Sequence, residues 1–422
     1  MLSPGSKGWI NKYFDLVENG KISLKKQRPD GMRKDDFLHL TFGKSGIIFG
    51  FPVELIFAQK LNDENWTQEE KLKLLLFESH LLIYKKKHKG EAINKQNFVH
   101  SLVEFYRFHN GRVMSKIFNL FKKETEVEML ENILAKRVEI KISILENKWW
   151  VNSLSNAFTY LDVLLYNDFK NNRNSDAFTN YSSFAQNALT AITLSAYSDG
   201  VIEDREKSMF NLFLASASLD EEQREIAKKQ FKKGADFSDL SADIEGHWLL
   251  KRFLLSVATL TIFSNHEIID DEVKFLKDLA KKLSISEIEM EETFGMIENF
   301  LLKSRESAVF LSDNSTYEKV FSSYSKRWSK VLMRNKDKLA VELKQSGQLI
   351  LLVKKSATQE LSKEEKKMVK EQFKDIVKSV PALAIFMLPG GAVLLPLILK
   401  IIPDLVPSAF KENQLDQDEN QD

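Results

Sequence analysis

An acidic stretch near the middle of the chain, SDGVIEDRE, holds side chains whose type and spacing could bind a metal ion. Carboxylate oxygens are the ligands that hard cations such as calcium prefer. The candidate ligands are Asp199, Glu203, Asp204 and Glu206. Their spacing differs from that of an EF-hand loop, which needs acids at alternate positions around a central glycine. Acidic residues at a helix start also cap the helix and complement its dipole, so both interpretations stay open.

Other sites for catalysis or cofactor binding are not recognisable in the sequence. The chain has no cysteine, which excludes disulfides, zinc–thiolate centres and cysteine nucleophiles. Its 7 histidines show no metal-binding spacing. Phe42–Gly46 contains Gly-Lys-Ser, but the position that must be glycine in a phosphate-binding loop is Leu38. Apart from calcium or another divalent cation at the acidic turn, we expect no cofactor and no enzymatic activity.

The composition favours a helical, cytoplasmic body. Lys and Arg number 61 against 60 Asp and Glu, so no overall field attracts nucleic acid, which we do not expect as a partner. Only 16 Gly and 8 Pro occur in 422 residues, which favours an all-α fold. The N-terminus has no basic region followed by an apolar run of the kind that marks a secretory signal, so we expect most of the chain to stay in the cytoplasm.

The middle of the chain contains an internal repeat. Ser198–Glu206 aligns without a gap with Ser264–Glu272, 66 residues later. Each copy has an apolar helical pattern before its acidic turn and another after it. Each then reaches a helix-capping signal, after Leu219 and after Ile285. The unit of helix, acidic turn and helix is therefore predicted twice.

This arrangement resembles the TerB-like domain of the tellurite-resistance family, whose acidic turn reads D-G-x-I-x-x-x-E. The first copy has the complete turn, at Asp199, Gly200, Ile202 and Glu206. The second copy has Asn265 and His266 in place of Asp-Gly. The resemblance covers 181–300 and implies an all-helical module with two pseudo-symmetric copies, through which the chain would contact other proteins.

Near the C-terminus a basic amphipathic helix, opened by the cap-like Ser362-x-x-Glu365, leads into the uncharged stretch Ser379–Leu399. At about 1.5 Å per residue a helix of that length just spans a hydrocarbon core of roughly 30 Å. The predicted membrane segment is marked by Val380, Pro381, Pro389, Pro396 and Leu399. Because its prolines would kink a helix, a kinked span, a re-entrant hairpin and a hairpin buried in the body all stay open. Lysines before the segment place the body on the cytoplasmic side.

The spacing of this segment resembles the LETM family, the leucine-zipper and EF-hand transmembrane proteins of the mitochondrial inner membrane. The matching motif residues are Asp375, Lys400, Pro403, Pro407 and Phe410. The family has Phe and Glu where this chain has Gly390 and Ala392, and loss of an acid inside the membrane argues against cation exchange. The family also continues into a ribosome-binding domain. Since this chain ends soon after Phe410, we do not expect ribosome binding.

The opening SPGSKGWI, the TerB-like repeat and the LETM-like segment together are similar to LETM-related biofilm-associated proteins of Bacteroidota. We therefore expect a non-enzymatic, membrane-associated scaffold or regulator in envelope or biofilm-related physiology, at the bacterial inner membrane. A homo-oligomer is also open. One alternative is a component of cation/proton exchange, and hence of ion homeostasis, with Asp375 as its first residue to test. The other is a soluble, metal-responsive adaptor in the cytoplasm.

Five divisions of the chain are predicted. They are an N-terminal helical domain (1–170), a TerB-like repeat domain (181–300), connecting helices (301–360), an amphipathic helix with a membrane segment (361–410), and an acidic disordered tail (411–422). The predicted fold is all-α, a multi-helix body with a two-fold helical repeat and a C-terminal proline-kinked hydrophobic helix or helical hairpin.

Overall fold

In the computed structural model, the described residues are 2–88, 91–109, 124–139, 156–171, 177–200, 202, 204–241, 244–263, 270–304, 322, 325–327, 329–359 and 361–379. Within these ranges the chain forms α-helices and two short 3-10 turns, and no strand. The predicted all-α class is confirmed for this part of the chain. By packing, the chain forms two compact units, which are Met1–Lys26 with Thr41–Thr316, and Gln27–Leu40 with Tyr317–Asp422. The five divisions predicted from the sequence stay predictions.

The helices are numbered in chain order. The first nine are α1 (Trp9–Glu18), α2 (Lys34–Ser45), α3 (Gln68–Lys87), α4 (Lys95–His109), α5 (Glu126–Val138), α6 (Thr159–Lys170), α7 (Ala177–Ala196), α8 (Asp204–Ser216) and α9 (Glu221–Lys233). The next six are α10 (Trp248–Phe263), α11 (Asp270–Lys282), α12 (Glu287–Lys303), α13 (Lys336–Gln345), α14 (Gly347–Thr358) and α15 (Lys363–Ser379).

Helix α3 is the centre of the N-terminal part of the first unit. It begins with a capping box, in which Thr67 and Glu70 each accept a hydrogen bond from the other's backbone N–H. Its run LKLLLFESHLLIY is apolar on nearly every side, and a helix of that kind is stable only when it is surrounded. Accordingly every residue from Leu72 to Tyr84 is buried, and α4, α5 and α6 pack around it.

A buried ion pair joins the N-terminal helices to the repeat. The guanidinium of Arg137 on α5 donates two hydrogen bonds to the carboxylate of Asp162 on α6, each with an N···O distance of 2.6 Å. Its third nitrogen donates to Ser218 Oγ, between α8 and α9, at 3.3 Å. The backbone N–H of Ser218 in turn donates to Tyr181 Oη at 2.9 Å. The region predicted as an N-terminal domain thus shares a polar core with the repeat.

The two copies of the helix–turn–helix unit recur in the structure with the offset of the sequence repeat. α8 begins and ends 66 residues before α11, and α9 begins 66 residues before α12. Asp220 caps α9 and Ser286 caps α12, again 66 residues apart and both within capping boxes. α7 and α10 pack against each other, and each packs against the two helices that follow it. The assignment of this module to the TerB-like family stays a prediction.

Matched hydroxyl groups at the centre of the module repeat with the same offset. Thr193 on α7 and Thr259 on α10 are fully buried, as are Ser195 and Thr261. Each hydroxyl donates to the carbonyl oxygen four positions earlier in its own helix, at 2.7–2.8 Å. Because each of these four hydroxyl groups donates to a carbonyl of its own helix, α7 and α10 can bury them without leaving their O–H donors unpaired.

Candidate functional site: the acidic turn and the C-terminal helices

The acidic turn lies between α7 and α8, and its predicted ligands have different surroundings. Asp199 is exposed, next to Gly200 with its left-handed backbone at φ +83°. Asp204, the first residue of α8, is 98% exposed and binds Lys207 Nζ at 3.1 Å. Glu206 is only 1% exposed. Glu203 lies outside the described residues. The turn therefore does not present the described carboxylates in one common environment.

The second copy gives the same result for its glutamate. Glu272 is the equivalent of Glu206, and it is 2% exposed. Both are the third residue of their helices, the position from which a glutamate reaches back to the helix start in a capping box. Residues 264–269, which include the rest of the second turn, lie outside the described part of the chain. The matched burial favours a role in starting α8 and α11.

Among the residues that the structure describes, no three histidine, aspartate or glutamate side chains are grouped so that they could hold a metal ion. Since Glu203 is not described, calcium binding at this turn stays a prediction.

The Gly-Lys-Ser triplet lies at the end of α2, where it cannot serve as a phosphate loop. The hydroxyl of Ser45, the last residue of the helix, is buried and donates to the Phe42 carbonyl at 2.9 Å. Gly46 follows with φ +83°, which ends the helix. Phosphate loops place their backbone N–H groups at a helix start, where the dipole attracts anions, and a helix end has the opposite polarity.

The three C-terminal helices form a small bundle of their own. α13, α14 and α15 pack pairwise around a common apolar core. The core residues are Leu339, Leu343, Leu349, Leu352, Val353, Leu361, Val369, Phe373 and Ile376. The predicted cap of α15 is confirmed, because Ser362 N–H donates to Glu365 Oε2 at 2.9 Å and Glu365 N–H donates to Ser362 Oγ at 3.2 Å. The bundle therefore brings the chain to Ser379 as a folded helix.

Helix α15 turns its apolar side inward. Val369, Phe373 and Ile376 are each no more than 3% exposed, against α13 and α14. Met368, which its helical spacing in the sequence predicts on the same apolar side, is 37% exposed and contacts Gln348 Nε2 through its sulfur at 3.5 Å. The outer face carries both charges, among them Glu364, Lys367 and Glu371. The buried residues Val369, Phe373 and Ile376 are thus already used by the bundle and are not available to lipid.

Most of the predicted membrane motif lies beyond the described residues. Asp375 is in the last turns of α15. The others, Val380, Pro381, Pro389, Pro396, Leu399, Lys400, Pro403, Pro407 and Phe410, all lie outside the described residues. None of the helices in the described part is long and apolar enough to cross a bilayer.

Residues 361–422 match the family model described as LETM1-like, RBD. This region is LETM-like. The match begins just before α15 and runs through the apolar stretch to the last residue, beyond the point at Phe410 where the motif comparison ended. Because the match extends to the last residue, the expectation that this chain does not bind ribosomes is not confirmed and stays a prediction. No curated protein and no solved structure matches the chain.

Proposed function

We propose that this protein is a non-enzymatic, membrane-associated protein related to the LETM family. Its LETM-like C-terminal region would attach it to the bacterial inner membrane, with most of the chain in the cytoplasm. The observation that carries the proposal is the family match over 361–422, which contains the uncharged stretch Ser379–Leu399. A run of that length and apolarity is of the kind that inserts into bilayers.

The packing of α15 supports attachment through the stretch after Ser379. An amphipathic helix that lies on a membrane needs a free apolar face, and Val369, Phe373 and Ile376 of α15 are buried against α13 and α14. Six lysines in 363–378 precede the apolar stretch, and their charges favour the cytoplasmic side.

For the body we propose a scaffold or regulatory role in envelope or biofilm-related physiology, with the TerB-like repeat as the part that contacts other proteins. Two observations support this proposal. The whole chain has a balanced charge, 61 basic against 60 acidic residues, which gives no reason to expect nucleic acid as a partner, and its sequence has no recognisable catalytic motif. This proposal leaves open whether the acidic turn binds a divalent cation and whether the chain forms a homo-oligomer.

The experiment compares the full chain with a chain ended at Ser379, by carbonate-resistant membrane fractionation. The cut leaves α13–α15 complete, so that the truncated protein keeps its bundle. We expect the full chain to remain with the membranes and the truncated chain to be released. Recovery of both in the soluble fraction would refute membrane attachment. Retention of both would move the attachment to another part of the chain.

A charge-reversal variant of the full chain is the matched control. Lys367→Glu changes the exposed face of α15 without touching its buried side. Because insertion depends on apolar length more than on one surface charge, the variant should fractionate like the natural chain. Release of this variant would show that the lysine face, rather than the apolar stretch, holds the membrane.

A further inference from the structure

A cleft of about 260 Å³ lies between the N-terminal segment and the helices α3 and α5. The segment Pro4–Trp9 forms one wall, and the start of α5 with the preceding Glu124 forms the other. Lys73 on α3 also lines it. The volume is slightly below the roughly 300–1,000 Å³ of typical small-molecule pockets, which suits a ligand of about amino-acid size.

The walls are fixed by hydrogen bonds that do not involve a ligand. Glu131 on α5 is 7% exposed, and its two oxygens accept from the backbone N–H groups of Gly8 at 2.8 Å and Ile10 at 2.9 Å. Gly8 has φ +86°, a conformation that favours glycine. Farther out, Trp66 Nε1 donates to the Leu2 carbonyl at 3.2 Å. The N-terminal segment is therefore held in place before anything binds, and such preorganisation favours affinity.

The inner part of the cleft carries a positive charge with spare donors. Lys73 is 8% exposed, within the buried run of α3 from Leu72 to Tyr84. Among the described residues its ammonium group has one hydrogen-bond acceptor, the Pro4 carbonyl at 3.2 Å. An ammonium group has three N–H donors, and a largely buried one is stable when an anion or further acceptors meet it. An anionic group in the cleft would supply that partner.

The opposite wall is acidic. Glu128 binds Lys7 Nζ at 2.7 Å, and hydrogen bonds from Lys7 and Thr125 lower the pKa of Glu128 to about 2, so that it is ionised at neutral pH. Glu124 uses one oxygen, Oε2, to accept from Asn132 Nδ2 at 2.8 Å. The charge of Lys73 also acts on the carboxyl of Glu131, but both Glu131 oxygens already accept from Gly8 and Ile10. A simple anion would be repelled by the glutamates, and a simple cation would leave the remaining N–H donors of Lys73 without an acceptor.

We propose that the cleft binds a small zwitterion of the free amino-acid class. The ligand's carboxylate would meet Lys73, and its ammonium group would meet Glu124 at the acidic wall. This site is independent of the C-terminal region, so that binding there does not rest on membrane attachment. No spacing in the sequence points to it, because the residues that line the cleft, Lys73 included, come from three separate parts of the chain.

The test is calorimetric titration of the purified full chain with L-alanine, L-leucine and L-glutamine. Sodium acetate and methylammonium chloride serve as probes that each carry one of the two charges. We expect at least one amino acid to bind, and each single-charge probe to bind about tenfold more weakly or worse, since it lacks one charge-assisted contact. Acetate that binds as tightly as the amino acids would overturn the proposal in favour of a plain anion site. No heat from any of the three would overturn it as well.

Two variants locate the binding. Lys73→Met should weaken the amino acid about tenfold or more, whereas Lys12→Met, an exposed lysine on α1, should leave it unchanged. In case loss of Lys73 disturbs the core, Glu124→Gln removes the charge of the opposite wall at a partly exposed position. It should weaken the amino acid but not acetate. Unchanged amino-acid binding in Glu124→Gln, or equal losses in the Lys73 and Lys12 variants, would contradict the assignment.

Discussion

The hydroxyl of Tyr13 on α1 donates to the carboxylate of Glu78 on α3 at 2.9 Å, in the core of the first unit. The same carboxylate accepts from the backbone N–H groups of Ile56, Phe57 and Ala58, at 2.6, 2.9 and 2.9 Å. One buried side chain thus satisfies three adjacent donors of a loop that has no regular partner of its own. Burial raises the pKa of Glu78, and the four donors act in the opposite direction.

We predict that Glu78→Gln lowers the free energy of unfolding by about 3 kcal/mol, because each carboxylate oxygen accepts from two donors and the amide NH₂ that replaces one oxygen would face two donors. Urea unfolding followed by circular dichroism measures the change. Glu18→Gln, an exposed glutamate at the end of α1, should stay within about 0.5 kcal/mol of the natural chain. Equal effects of the two substitutions would show that Glu78 does not hold the loop.

The ion pair of Arg137 and Asp162 gives a second prediction. The two side chains are 8% and 4% exposed, so removal of one leaves the other charged and buried. Arg137→Met should therefore cost about 3–5 kcal/mol. The neighbouring Lys136→Met removes only an exposed pair with Glu139 and should cost less than about 1 kcal/mol. A loss below about 1 kcal/mol in the Arg137 variant would mean that the Tyr106 hydroxyl, which donates to Asp162 at 3.1 Å, is a sufficient partner for the carboxylate.

A third prediction concerns acid stability. His80 is fully buried on α3, where its Nδ1 donates to the Leu76 carbonyl at 2.7 Å and its ring packs against Phe105, Tyr106 and Tyr166. Burial lowers the pKa of His80 from 6.5 to about 4. The unfolded chain then binds more protons than the folded one. The contribution of His80 to the free energy of unfolding is complete above about pH 6.5 and is lost as the pH falls through 4. The change amounts to about 3 kcal/mol.

The measurement is the urea midpoint between pH 7.5 and 4. His80→Phe should flatten this part of the profile, because it removes the group that titrates. His100 is a control of opposite sign, since its hydrogen bond to Glu126 raises its pKa. The contribution of His100 to stability is present at low pH and is lost as the pH rises through its folded pKa. His100→Gln should therefore leave the fall of the urea midpoint toward pH 4 in place. A profile unchanged by His80→Phe would contradict the role of His80.

The acidic turn gives the fourth prediction. Glu206 is buried near the start of α8 whereas Asp204 is exposed, so Glu206→Ala should cost about 1–2 kcal/mol and Asp204→Ala less than about 0.5. If the turn acts only in starting the helix, the thermal midpoint of the natural chain will not change with added calcium. A calcium-dependent rise that disappears in Asp199→Ala would instead establish a cation site.

Periodicity and capping signals were the parts of the sequence that predicted the structure well. The run from Leu72 to Tyr84 is buried as its all-round apolar character indicated, and Ser362 caps α15 together with Glu365. These features depend on residues close together in the sequence, so that a local pattern is enough to find them.

The buried polar contacts could not be predicted in the same way. The partners of Glu78 come from residues 20–65 positions away, and Arg137 reaches Ser218 across 81 residues. No local pattern shows which distant donor will meet a buried acid. The position of Met368 was missed for a related reason. Spacing placed it on the apolar side of α15, but that side ends at the seam where α14 supplies Gln348 rather than an apolar residue.

Helix α5 carries two of these contacts at once. Glu131 near its middle holds the N-terminal segment, and Arg137 near its end holds Asp162 and the loop of Ser218. The two side chains lie about 9 Å apart along one continuous helix. A shift of α5 by a fraction of a turn would therefore change both ends together. Residues Gly8 and Ile10 and the loop between α8 and α9 are therefore tied to the same helix, although they lie far apart in the sequence.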